Sequence, residues 1–157
     1  MPTAHLICGY IGSGKTTFAR QLEEERGAVR FTHDEWMVRH YGHNPPADKF
    51  HEYHAEISRM IWEDALLALS LGRDVVLDFG FWRRADRDEA RGKVAGYDCR
   101  MYLVVCDEET AWARVDARNR NLGGEHLLIE RHTFDALKKK VEPFGEDEDF
   151  ALVPSAL

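Results

Sequence analysis

The stretch GYIGSGKTT, residues 9–17, decides how this chain is read. Gly9, four intervening residues, Gly14, Lys15 and Thr16 form the pattern G-x-x-x-x-G-K-[ST]. Gly9, Gly12 and Gly14 let the backbone wrap so that its N–H groups turn inward onto phosphate oxygens. Lys15 then reaches the β- and γ-phosphates, and the Thr16 hydroxyl ligates Mg²⁺. Ser13 and Thr17 complete the nucleotide-binding set. The context is the one the mechanism needs. HLICG, residues 5–9, is a short apolar run that reads as a buried strand, and GKTTFARQLEEERG reads as a helix closed by Gly27. The positive end of that helix faces the phosphates. Hydrolysis, transfer and sensing are all compatible with these residues.

Outward from the loop, strands and helices alternate. AVRFT (28–32) reads as a second strand, and a helix over His33–Tyr41 carries Asp34 and Glu35 in its first turn, where acids complement the dipole. GHNPP (42–46) breaks the chain, and a long amphipathic helix follows to about Leu71, with Ile57, Ile61, Ala65 and Leu69 on one face. DVVLDF (74–79) is the cleanest buried strand. RRADRDEARGKVA reads as a charged helix, CRMYLVVC (99–106) as a strand, and Glu108 to Asn119 as a helix. RNRNLGGEH has the character of a mobile lid, about residues 118–131; a helix over 130–141 and a strand over 150–153 close the pattern. Such alternation predicts an α/β fold whose parallel sheet is covered on both faces.

The 157 residues predict one domain, 1–157, with 44% hydrophobic and 11% aromatic content supporting a proper core. A formal charge of −7 disfavours a polyanionic partner, so nucleic acid is a secondary expectation. Cys8, Cys99 and Cys106 sit in apolar runs without zinc-site spacing and read as buried reduced thiols. No run reaches 18 apolar residues, and no basic region with an apolar stretch and cleavage site opens the chain. The expected location is cytoplasmic, with no membrane partner.

Two fates for the bound nucleotide find no support. A guanine-specific switch would show N-K-x-D and D-x-x-G, but Phe81 stands where that glycine belongs. A hydrolysing motor would follow Asp78 with a second acid, and Phe79 stands there instead. DFG at 78–80 lacks the companion H-R-D of protein kinases. Transfer remains, and it needs a base, a metal-holding acid and positive charge on the transferring group. Asp34, just past the second strand and at the same sheet edge as the loop, is the candidate base, with Glu35 as substitute. Asp78 ends a buried strand, where an acid is costly unless paired; Mg²⁺ held by Thr16 and, through water, Asp78 accounts for it. Arg118 and Arg120 at the start of the lid are candidates to close over the phosphates, with Arg114 on the same helix face as Arg118. Arg83, Arg84, Arg87 and Arg91 with Asp86, Asp88 and Glu89 read as a salt-bridged solvated face. Trp36, His40, Tyr41, His43, His51, Tyr53 and His54 mark the expected acceptor region.

The phosphate loop, HDEW after strand two, LDFGFWRRADRD and RVDARNRN together resemble the small P-loop kinases. That group includes the kinase domain of polynucleotide kinases, chloramphenicol phosphotransferase, zeta toxins and gluconate kinase. The resemblance implies a three-layer α/β/α P-loop NTPase fold with a five-stranded parallel sheet of order 2-3-1-4-5. It also implies ATP with Mg²⁺ as donor and an alcohol group as acceptor, with Lys15 and Thr16 on phosphate and metal, Asp34 as base, and Arg118 or Arg120 in the lid. Polynucleotide kinases of this type carry an arginine shortly after the base, where this chain has Met37. The expectation is therefore a kinase of a small hydroxyl-bearing molecule. A polynucleotide 5′-hydroxyl kinase and a nucleotide-binding regulatory module with slow ATP hydrolysis are the alternatives. The sequence leaves the acceptor and the oligomeric state unassigned.

Overall fold

A computed structural model describes residues 1–155. The order is β1 (Thr3–Cys8), α1 (Lys15–Arg26), β2 (Val29–Thr32), α2 (His33–Tyr41), α3 (Phe50–Ser70), β3 (Val75–Gly80), α4 (Arg84–Lys93), β4 (Asp98–Val105), α5 (Glu108–Arg120), α6 (Arg131–Lys138) and β5 (Ala151–Pro154). The strands form one five-stranded sheet of order β2-β3-β1-β4-β5, with every pairing parallel. This is the predicted P-loop NTPase topology.

Strand periodicity sorts the core into two faces. Leu6 and Cys8 of β1, Val75 and Leu77 of β3 and Phe31 of β2 pack against Met37 of α2, Ile57, Ile61, Ala65 and Leu69 of α3 and Ala90 of α4. The intervening Ile7 and Val76 pack on the other side, against Ala19 and Leu22 of α1. The α3 stripe recurs at helical spacing and is fully buried at Ile57 and Ile61. Each such side chain contributes up to about 3 kcal/mol by leaving water. Because β1 lies between β3 and β4, the chain reverses its winding direction there, and α/β sheets place their ligand crevice beyond the strand ends at that point.

Several expectations need correction. Helix α6 stops at Lys138 rather than 141. Pro143 follows closely and disfavours continued helix, and the Glu142 N–H donates to Trp82 O at 2.7 Å. The charged face on α4 is only partly solvated: the Arg87 side chain is 1% exposed and bound to Glu148, itself 1% exposed. Cys99 is exposed rather than buried, while Cys8 is buried, which pushes its thiol up to about 12. No helix among the described residues is long and apolar enough to cross a membrane.

Candidate active site

The phosphate loop runs from the end of β1 into α1, and its glycines are there for conformational and steric reasons. Gly12 has φ 77° and Gly14 φ 101°, both left-handed. A Cβ on Gly12 would stand 2.5 Å from the Ala111 carbonyl oxygen of α5. The loop is moored to the end of β3: Gly9 N–H donates to Gly80 O at 3.0 Å, and Trp82 Nε1 donates to Gly9 O at 3.0 Å. Lys15 Nζ donates to Tyr10 O at 3.1 Å, across the loop it serves.

Two observations bear on whether these residues fit a phosphate with Mg²⁺. Ser13 Oγ is buried without a hydrogen-bond partner, a polar atom stranded inside the loop that a phosphate oxygen would satisfy. Thr16 Oγ1 donates to Asp78 Oδ2 at 2.7 Å, so the two residues nominated for Mg²⁺ already converge. Asp78 is 4% exposed and also accepts from Thr32 Oγ1 at 3.0 Å, its register neighbour across β2 and β3. A hydroxyl and a carboxylate oxygen beside phosphate are the hard oxygen donors Mg²⁺ takes, with waters completing its shell. The residues fit. No group of three His, Cys, Asp or Glu side chains among the described residues forms a self-sufficient metal site.

Asp34, at the second position of α2, lines the same cleft as Lys15, Thr16, Asp78 and Arg118. Its side chain meets the solvent filling the cleft, yet the walls surround it closely. That enclosure raises its pKa above the ordinary carboxylate value; Lys15 and Arg118 pull it back, and Asp78 and Glu35 add to the rise. Glu35 has a different setting. Its carboxylate is bound by Arg30 Nη1 at 3.1 Å to both oxygens and by Arg20 at 3.3 Å, with Arg39 3.6 Å away. Two arginines already occupy the Glu35 oxygens and a third stands beside them, so Asp34 is the better placed of the two to meet an acceptor hydroxyl.

The lid arginines separate in the same way. Arg118 lines the cleft, and burial lowers its pKa against the opposing pull of Asp34. Arg120 is 76% exposed and paired with Asp116 one turn back, outside the cleft lining. Arg114 supports the loop, donating to Gly12 O at 3.1 Å and to Ser155 Oγ at 2.7 Å. The lid segment is tied at both ends. Asn119 exchanges hydrogen bonds with the Ile129 backbone at 2.6 and 3.1 Å, Leu128 N–H donates to His43 O at 2.8 Å, and Glu125 accepts from Arg39.

The expected acceptor segment divides. Tyr41 and Tyr53 stack on each other at 3.8 Å, Trp36 packs against Phe31 and His40, and His43 donates to His126 O at 2.6 Å. His51 and His54 line the cleft. They are joined there by Trp62, Phe79, Phe81 and Trp82, none of which the sequence marks as part of the acceptor region. Phe81 occupies the place of the switch glycine and adopts φ 49°, a left-handed backbone unusual for a bulky residue. Arg87 Nη1 holds it there through Phe81 O at 3.1 Å and Trp82 O at 3.2 Å. The cleft as a whole has a volume of about 1720 Å³, against roughly 300–1,000 Å³ for an ordinary single-ligand pocket.

The profile of the AAA domain family matches residues 5–144. No curated protein sequence matches significantly. Among solved structures, a protein of Chloroflexus aurantiacus provisionally called a kinase superposes with TM-score 0.75 at 15% identity, covering 98% of this chain and 88% of that one. Kti12 of Chaetomium thermophilum, solved in complex with ADP-AlF3, gives 0.73 at 18%, covering 98% and 88%. A gluconokinase of Sinorhizobium meliloti 1021 gives 0.68 at 18%, covering 99% and 84%. These superpositions show a shared fold over nearly the whole chain.

Proposed function

Because the chain belongs to the AAA domain family, in the kinase-like P-loop form described above, we propose that it is an ATP-dependent phosphotransferase acting on the hydroxyl of a small molecule. The observation that carries this reading is Asp34, a carboxylate that lines the cleft with Lys15 and Arg118 and, among the described residues, has no arginine bound to it.

Asp34 accepts the proton of the acceptor hydroxyl as its oxygen attacks the γ-phosphorus. Lys15 and Arg118 set positive charge where the equatorial oxygens of the transferring group gather negative charge, and the N–H groups of the first turn of α1 do the same. Mg²⁺, held by Thr16 and through water by Asp78, would supply further charge to the β- and γ-phosphate oxygens. As the new O–P bond forms, the bond from the γ-phosphorus to the β–γ bridging oxygen breaks and its electron pair leaves on ADP beside Lys15, so transfer needs no covalent enzyme intermediate. Rotation of the segment over 121–130 toward the loop would exclude water and so favour the acceptor over hydrolysis.

The test is ADP release across a library of hydroxyl compounds. Stimulation by a small alcohol supports the reading. Stimulation by an oligonucleotide 5′ end alone moves the assignment to a polynucleotide kinase. Slow ADP release that no acceptor accelerates assigns a nucleotide-binding regulatory module instead.

A further inference from the structure

Away from the phosphate loop the cleft has a second wall whose chemistry is specific. The wall is built from one face of α3, the end of β3 and the first turns of α4. Phe79, the residue after Asp78, is its centre. The Phe79 ring stacks beside Phe81 at 5.4 Å and 13° and meets His33 edge-on at 5.0 Å and Trp62 at 6.1 Å. His33 in turn stacks on His54 at 4.0 Å. The result is a continuous run of flat groups starting one residue from the metal-holding acid.

The charges on this wall are balanced. Arg59 is bound to Glu56 and Glu63, with 2.7 Å to the latter. Arg83 holds Asp86 at 3.1 and 3.2 Å. Lys93 lies 3.8 Å from Glu89 and over the Trp62 ring. Lys139 and Lys140 also line the cleft, as do Glu130 and Glu142. Burial takes His33 down to about 3 and lowers His54, the latter partly offset by Asp86, so these two imidazoles are disfavoured as cations. Among the described residues Lys139 and Lys140 carry no carboxylate partner, but the cations beside the rings, Arg59, Arg83 and Lys93, are already paired, so an anionic group seated against Phe79 and Trp62 would lose hydration and compete with carboxylates in place. Planar apolar surface, by contrast, gains both burial and ring contacts. His54 of α3 and Asp86 in the first turn of α4, the latter held by Arg83, both line the cleft, so polar groups flank the ring wall from two elements.

We propose that the acceptor is an uncharged ring-bearing alcohol, its ring against Phe79 and Trp62, its reacting hydroxyl toward Asp34, and a second polar group read by His54 and Asp86. The proposal rests on the phosphotransferase reading and goes further by naming the acceptor class. His54 and Asp86 are specificity residues that touch the acceptor and leave the nucleotide alone.

The experiment measures initial rates of phosphoryl transfer from labelled ATP by the full chain with four probes: uridine, a phenyl-bearing diol, D-gluconate and a 5′-hydroxyl oligodeoxynucleotide. Binding of each to the ADP-loaded protein is followed by calorimetry. One or both neutral ring compounds should bind and accept phosphate at least about tenfold more efficiently than either anion. His54→Ala and Asp86→Asn should each raise the KM of the neutral acceptor about fivefold and leave the KM for ATP within about twofold. Asp86→Asn is nearly isosteric, so it keeps the test sound if His54→Ala folds poorly. Preference for gluconate or the oligonucleotide, or an acceptor KM unmoved by both variants, overturns the proposal. Failure of the broader reading looks different. ATP then binds with Lys15-dependent affinity, and none of the four probes is phosphorylated, which removes the proposal together with its premise.

Discussion

Replacing Glu148 by Gln perturbs the most enclosed charge pair among the described residues. Arg87 and Glu148 side chains are each 1% exposed, and they meet through two bonds, Nε to Oε2 at 2.8 Å and Nη2 to Oε1 at 3.0 Å. The remaining Arg87 donors reach the carbonyls of Phe81, Trp82, Glu142 and Pro143 at 3.1 to 3.2 Å. Glu148 also accepts from Arg91 at 2.6 Å and from Gly145 N–H at 3.0 Å. Gln would turn an amide N–H₂ toward guanidinium donors and leave the Arg87 charge uncompensated. Breaking one partner of a buried pair costs about 3–5 kcal/mol. The Arg87 hydrogen bonds hold the Glu148 carboxyl down at about 2, against burial that pushes it up. A drop from the ordinary 4.5 corresponds to on the order of 3 kcal/mol, in agreement. Urea denaturation at pH 7 should show Glu148→Gln destabilised by about 3 kcal/mol with an unchanged m-value, or a Tm lower by roughly 6–12 °C. A carboxylate whose folded pKa is depressed stabilises above its unfolded pKa and loses that contribution as pH falls through the folded one. The gap between wild type and variant should therefore be full above about pH 5 and shrink steadily between 4.5 and about 2. A loss below about 1 kcal/mol at pH 7, or a gap that does not change with pH, refutes the buried-pair account.

Gly12→Ala places a Cβ 2.5 Å from the Ala111 carbonyl oxygen on a backbone with φ 77°, so the loop must move; ATP affinity, measured by calorimetry, should fall at least about tenfold. Arg118→Ala should lower kcat about 10²-fold, and Arg120→Ala, which removes an arginine paired with Asp116 outside the cleft, should cost at least tenfold less than that by the same steady-state assay. The acid limb of kcat/KM should lie above the 3.8 of an ordinary aspartate, because Asp34 must be ionised to act and its pKa is raised. Arg118→Ala removes a charge that lowers that pKa, so the limb should move to still higher pH in a pH–rate profile.

Much of the fold was legible because it rests on local chemistry. VVLDF is an apolar run that can only be a buried strand, and GYIGSGKTT carries its own geometry. The sequence points to Thr16 and Asp78, 62 positions apart, as joint holders of Mg²⁺, and the structure places them 2.7 Å from one another. The strand order was available through resemblance, since alternation alone does not order a parallel sheet. What stayed hidden depends on distant partners. Arg87 reads as one arginine among four on a charged helix, and its burial is decided by Glu148, 61 residues away in a segment that looks like an acidic tail. The sequence favours Arg118 over Arg120 only by its place where helix becomes lid; the structure separates them by turning Arg118 into the cleft and leaving Arg120 beside Asp116. Tyr41 and Tyr53 looked like acceptor ligands because aromatic composition cannot say whether rings face each other or the cleft. Phe79 and Phe81 were read only as absences, of a second acid and of a glycine, although they line the cleft themselves.

The central claim is that Asp34 is the base of a phosphoryl transfer. Its most direct test compares wild type with Asp34→Asn in transfer of labelled γ-phosphate to the best acceptor, alongside ATP affinity measured by calorimetry. The account predicts transfer reduced about 10²–10⁴-fold with ATP affinity within about threefold. Transfer by the variant at the wild-type rate would contradict it.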